Sequence, residues 1–177
     1  MVGGTGYLQN PQAVGHGYED KAQKMIYPKG KKLTWHFLAP NVHDFTWAAD
    51  PKFHHDILDT ESGTRLHFFY KKNLKKKYLK NWKALPSKTS ELLAYYNSHV
   101  GPYPYKQYSV IQGGDGGMEY PMATLLVGPG LGTVFHEWMH SWYQMMLGTN
   151  ESMYAWMDEG FTSYAEDLIT KFYDKKS

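Results

Sequence analysis

Two histidines four residues apart, His136 and His140, sit in the stretch TVFHEWMHSWYQ (133–144) with Glu137 directly after the first. On an α-helix, residues four apart share one face a turn apart, so both imidazoles can reach a single ion. Glu137 lies about 100° round the helix, beside that ion and placed to take a proton from water. The same letters also describe a buried aromatic helix, and Trp138, Met139, Trp142, Met145 and Met146 read as core packing along it. A catalytic zinc site needs a third protein ligand and an open position, and two His with one Glu is a known set. The metal reading therefore demands a second helix that folds back on the first.

The sequence supplies one. After Gly148, a good helix stop, WMDEGF (156–161) opens a second helical pattern, and eighteen residues separate His140 from Glu159. Two antiparallel helices joined by such a loop bring Glu159 back against the histidines. An adjacent helical residue points about 100° away, so only one of Asp158 and Glu159 is expected to ligate. Seven residues on, Glu166 returns to nearly the face of Glu159. There it can bond the far nitrogen of a ligating histidine. A solvated acid beside Asp167 is the alternative for Glu166.

Composition narrows the chemistry. The chain has 177 residues and no cysteine, so disulfides, thiolate metal sites and cysteine nucleophiles are out, and any metal rests on His, Asp and Glu. Hydrophobic residues at 42% and charged residues at 20% describe an ordinary globular chain. A net charge of +2 gives no argument for nucleic acid or an acidic partner. No apolar run is long enough for a membrane span. MVGGTGYLQN lacks the features of a signal peptide, and the chain closes on KKS after a helical pattern, which reads as part of something longer; compartment stays open.

Upstream, residues 1–66 read as short strands and turns, with apolar runs at Leu33–Leu38 and Leu66–Tyr70. GGTG (3–6) reads as a turn, since no strand precedes it and no helix follows. KKNLKKKYLKNWK (71–83) holds seven lysines around a stripe of Leu74, Tyr78, Trp82 and Leu85; with overall charge nearly balanced it reads as a solvated helix or linker face, a basic patch for nucleic acid or anionic surfaces being the alternative. A second helix is expected from Ser87 to Val100, a strand at YSVIQ, an edge strand in MEYPMATLLV given Pro121, and helices at about 132–147 and 155–173. His54 and His55 alternate across a strand and should not share an ion. His16, His36, His43, His67 and His99 are isolated and read as structural or surface residues.

HEWMH, eighteen residues and then Glu159 in W-M-D-E-G resembles the zinc signature of the M1 gluzincin aminopeptidases, the aminopeptidase N type. GGMEYP (116–121) is similar to that family's G-x-M-E-N motif at about its usual distance upstream. The likeness covers residues 67–177 and extends more weakly through WHFLAPNVHDFTWAADPKF. It implies an α+β, thermolysin-like (gluzincin) catalytic domain, partial, over 67–177, after the end of an all-β N-terminal domain over 1–66. It further implies one Zn2+ per chain on His136, His140 and Glu159, with Glu137 as general base. Glu119 would bind the free α-amine of a peptide, and the backbone at Gly116 and Gly117 would lie along that peptide. A carboxylate near the metal can pair with an ammonium, and glycine lets a backbone approach closely.

Tyr120 stands where that motif ends in Asn. The family's transition-state tyrosine would fall beyond Ser177, and its upstream amine acceptor before Met1; Tyr143, Tyr154 and Tyr164 match neither. The resemblance thus implies a zinc aminopeptidase acting on peptides with a free N-terminus, with the remainder of a longer polypeptide needed to complete the site. A thermolysin-type endopeptidase, and a zinc-binding module without turnover, are the alternatives.

Overall fold

The computed structural model describes residues 2–8 and 37–174. The Leu33–Leu38 run is described only at its end, and His16 and His36 lie outside the described residues. Among the described residues the architecture is mixed α+β, with one five-stranded sheet and three α-helices.

The sheet is built on the alternation of strands β5 (Phe53–Asp59) and β6 (Arg65–Lys71), which pair antiparallel in continuous register from Phe53↔Lys71 to Asp59↔Arg65. The boundary expected between residues 66 and 67 falls inside β6. Leu66, Phe68 and Tyr70 point to one face, and Phe69 to the other. β7 (Gln107–Gln112) joins β6 in parallel and continues both faces, with Tyr108 and Val110 on the first and Ile111 on the second. β9 (Ala123–Leu126) runs parallel to β7, and β8 (Met118–Tyr120) pairs antiparallel with β9 at the sheet edge, giving the order β5-β6-β7-β9-β8. β1 (Val2–Gly4) pairs with β4 (Trp47–Ala49), whose Ala48 packs on the second face, and β2 (Tyr7–Leu8) pairs with β3 (Phe37–Leu38). Of GGTG, Gly3 and Gly4 belong to β1 and the rest bends, with Gly6 at φ +85°.

Parallel β6 and β7 require a crossover, and α1 (Lys76–His99) provides it. Two helices were expected here; one continuous helix of 24 residues forms, with Pro86 inside it. A proline in a helix interior costs about 3 kcal/mol. The apolar stripe nevertheless stays in phase across Pro86, burying Trp82, Leu85, Thr89, Leu92, Leu93 and Tyr96. Each large apolar side chain so buried contributes roughly 1.5–3 kcal/mol, which outweighs the break. Thr89 adds hydrogen bonds from Oγ1 to the carbonyls of Leu85 and Pro86, at 2.8 and 3.1 Å. Tyr78 leaves the expected stripe and is half exposed; Leu79 packs in its place.

The expected single edge strand at 118–127 is a hairpin. Pro121 cannot donate to a ladder but suits the first turn position, and Met122 takes the positive φ (+60°) that the second position of a type II turn requires. MEY becomes the edge, and ATLL lies between it and β7.

Helix α2 (Leu131–Met139) packs on β8 and β9, and α3 (Phe161–Asp174) packs on α2. Neither helix runs as far as expected. Beyond His140 the chain passes into a wide turn, Ser141–Met146, broken by non-helical Tyr143 and Gln144 (φ +92°, ψ −66°). A second wide turn, Trp156–Gly160, precedes α3. Trp138, Met139 and Trp142 are buried in the core as expected, whereas Met146 is half exposed. No helix among the described residues is long and apolar enough to cross a membrane.

Candidate metal centre

α2 carries His136 on the face turned toward α3, His140 caps its C-terminal end one turn on, and the wide turn 156–160 brings Glu159 to them. His136 Nε2 and His140 Nε2 stand 3.3 Å apart; Glu159 Oε2 lies 3.1 Å from the first and 3.8 Å from the second. Ligand atoms about 2.0–2.1 Å from a tetrahedral ion stand ~3.3–3.4 Å from one another, so this triangle has the size a zinc ion needs.

The far nitrogens fix what the near ones can do. His136 Nδ1 is 3.0 Å from Glu166 Oε2, and His140 Nδ1 is 2.5 Å from Asp158 Oδ1 and 3.3 Å from Thr162 Oγ1. A carboxylate only accepts, so each neutral imidazole donates from Nδ1 and keeps its lone pair on Nε2. Two such lone pairs and a carboxylate oxygen then converge with no donor between them, an arrangement that calls for a cation. Burial works against charging His136. The hydrogen bond to Glu166 and the charges of Glu137, Glu159 and Glu166 outweigh it, and its pKa sits above the usual histidine value.

The partner of His140 is a residue whose role the sequence did not disclose. Asp158 was expected to point away from the site; it reaches the opposite ring nitrogen from the one Glu159 faces. The 100° rule holds for a regular α-helix, and 156–160 is not one. Thr162, fully buried and one turn before Glu166 on α3, was also missed.

Glu137 lies at the inner side of the group, nearly buried, its carboxylate close to Glu119 and His140. Burial pushes its pKa up first, the negative charge of Glu119 next, and His136 offsets part of this, leaving it at about 7. Glu119 comes from the edge strand β8, opposite Thr124 in β9, whose hydroxyl donates to the Met118 carbonyl at 3.1 Å.

The two glycines upstream separate. A Cβ on Gly117 would fall 2.2 Å from Glu137 Oε1 and 2.8 Å from Thr133 Cγ2, so the Glu137 carboxylate occupies the space a side chain would need. Gly116 faces open space.

Other histidines stay apart from this group. His54 Nε2 is 2.8 Å from Asp56, which also accepts from the Tyr70 hydroxyl, while His55 meets His67 at 3.0 Å. His43 meets the Gln144 amide at 3.0 Å. Tyr143 stacks on Phe161, and Tyr154 and Tyr164 are largely exposed.

No protein-family model matches this chain, and no curated protein does. Among solved structures it is similar to an M1 zinc metallopeptidase from Deinococcus radiodurans, with a TM-score of 0.59 and 20% identity over 69% of this chain and 29% of that one. A mutant M1 zinc metallopeptidase from the same organism, bound to a Tyr-Ser-Ala substrate, is similar at a TM-score of 0.59 and 19% identity, over 68% of this chain and 29% of that one. Leukotriene A4 hydrolase from Saccharomyces cerevisiae follows at 0.46 and 16% identity, over 68% of this chain and 20% of that one. The fold of about two thirds of this chain is thus shared with M1 zinc metallopeptidases, and the chain spans under a third of their length.

Proposed function

We propose that a chain with this fold and this donor set is the zinc-bearing part of a metalloaminopeptidase, which removes N-terminal residues from peptides. In this reading residues 67–177 are a partial thermolysin-like, gluzincin domain, and 1–66 the end of a preceding β domain. The carrying observation is the convergence of His136 Nε2, His140 Nε2 and Glu159 Oε2 at ligand spacing, with Glu137 beside them.

His136, His140 and Glu159 would hold one Zn2+, and Glu166 would orient His136. Zinc bound there would polarise a scissile carbonyl and make a nearby water more acidic. Glu137, nearly buried beside these ligands, is suited to take a proton from that water and return it to the leaving amine. Glu119, on the neighbouring edge strand, is placed to pair with a substrate ammonium and so to fix the first peptide bond near Glu137. The unpaired side of β8, with Gly116 and Gly117 leading into it, offers backbone groups to an extended peptide. Segments of a longer polypeptide would supply the group that stabilises the oxyanion.

Glu119→Ala, made in the catalytically competent polypeptide, tests the reading. Hydrolysis of aminoacyl reporters should collapse while zinc content holds. Undiminished hydrolysis of free N-termini would refute the amine role, cleavage of blocked peptides would indicate an endopeptidase, and zinc without turnover in the unaltered polypeptide would indicate a binding module.

A further inference from the structure

The modest net charge conceals a strong asymmetry. Residues 71–88 hold eight lysines, and no Asp or Glu occurs from 62 to 90, leaving 11 lysines and arginines against 17 acids elsewhere. In the structure Lys72, Lys75, Lys76, Lys77, Lys80, Lys83 and Lys88 are all exposed. None of them takes part in an ion pair among the described residues; Lys71 alone is paired, with Asp50. Along α1 the lysines at 76, 80 and 83 form a stripe at spacings of four and three, opposite the buried stripe of Trp82, Leu85 and Thr89.

This placement works against the helix. The first turn of α1 has no acidic residue, Lys75 occupies the N-cap without a side-chain cap bond, and cations gather where the helix dipole is positive. Lys76 and Lys80 are like charges four apart on the helix, a destabilising pair. Nothing among the described residues offsets this. A local rule broken without internal compensation points to a requirement from outside.

We propose that the outward face of the first half of α1 docks on an anionic bilayer surface. Two observations favour a bilayer over nucleic acid. The cations are all lysine, point charges without the bidentate or stacking geometry that arginine brings to phosphates and bases. They lie on the outer face of a single helix, which can meet a plane broadside. The surface is independent of the zinc reading and stands whether or not the chain hydrolyses peptides.

The test is co-sedimentation of the chain with phosphatidylcholine vesicles and with vesicles containing 30% phosphatidylserine, at low salt and at high salt. Binding to the anionic vesicles alone, lost at high salt, is expected. Each lysine removed should weaken partitioning about fivefold, so Lys76→Glu/Lys77→Glu/Lys80→Glu should lose at least about a hundredfold. The same variant should melt no lower than the unaltered chain, since acids then face the positive end of the helix. Equal binding to both vesicle types, retention by the triple variant, survival at high salt, or tighter binding to a DNA duplex than to the anionic vesicles would each overturn the proposal.

Discussion

Gly117→Ala isolates the relation between the glycine-rich approach and the proposed base. The added methyl would sit 2.2 Å from Glu137 Oε1 and 2.8 Å from Thr133 Cγ2, where ordinary contact begins near 3.4 Å. The carboxylate must therefore retreat by more than about 1 Å. Because the end of a side chain gives way more easily than backbone, the stability cost should stay near the low end of overpacking, ~1 kcal/mol. Catalysis tolerates such a shift far less, since a misplacement of about 1 Å costs on the order of a hundredfold. Gly117→Ala should thus keep stoichiometric zinc and a near-normal denaturation midpoint, while kcat on an aminoacyl reporter falls about a hundredfold. Gly114→Ala, in the same loop but facing open space, should change neither. Gly117→Ala turnover within about threefold of the unaltered enzyme would refute the reasoning, because Glu137 would then not be working from the position described.

Glu137 also predicts a pH signature. Its folded pKa of about 7 lies above its unfolded value, so the metal-free chain should lose stability as pH rises from about 4.5 through 7, by no more than roughly 3 kcal/mol. Glu137→Gln should flatten that slope in urea titrations across the range, and an unchanged slope would contradict it. Glu166→Ala should weaken zinc binding about 10–100-fold in chelator competition, because His136 loses the carboxylate at its Nδ1. Trp82→Ala, which empties a fully buried site stacked on Tyr70 at 5.2 Å, should cost about 3–5 kcal/mol in a denaturant titration.

The legible parts of this molecule are those governed by regular periodicity. The spacing of four on a helix places His136 and His140 together, the spacing of seven from Glu159 places Glu166 at His136, and strand alternation separates His54 from His55. Irregular backbone hid the rest. Asp158 reaches His140 because the turn at 156–160 is wider than an α-helix, and a periodicity of 3.6 cannot foresee that. Pro121 was given the commoner meaning of an edge strand, and two helices were expected to meet between Leu85 and Ser87. At 86 an unbroken apolar stripe overrode the helix break, and at 121 a positive φ at Met122 made a turn of what read as an edge strand. The lysine run was legible as an exposed face, but its lack of acidic partners required the folded chain.

Metal analysis of the purified chain tests the central claim most directly. After dialysis against buffer without chelator, one zinc per chain is predicted, falling to near none in His140→Ala while the fold persists by circular dichroism. No stoichiometric zinc, or zinc retained undiminished without His140, would contradict the account.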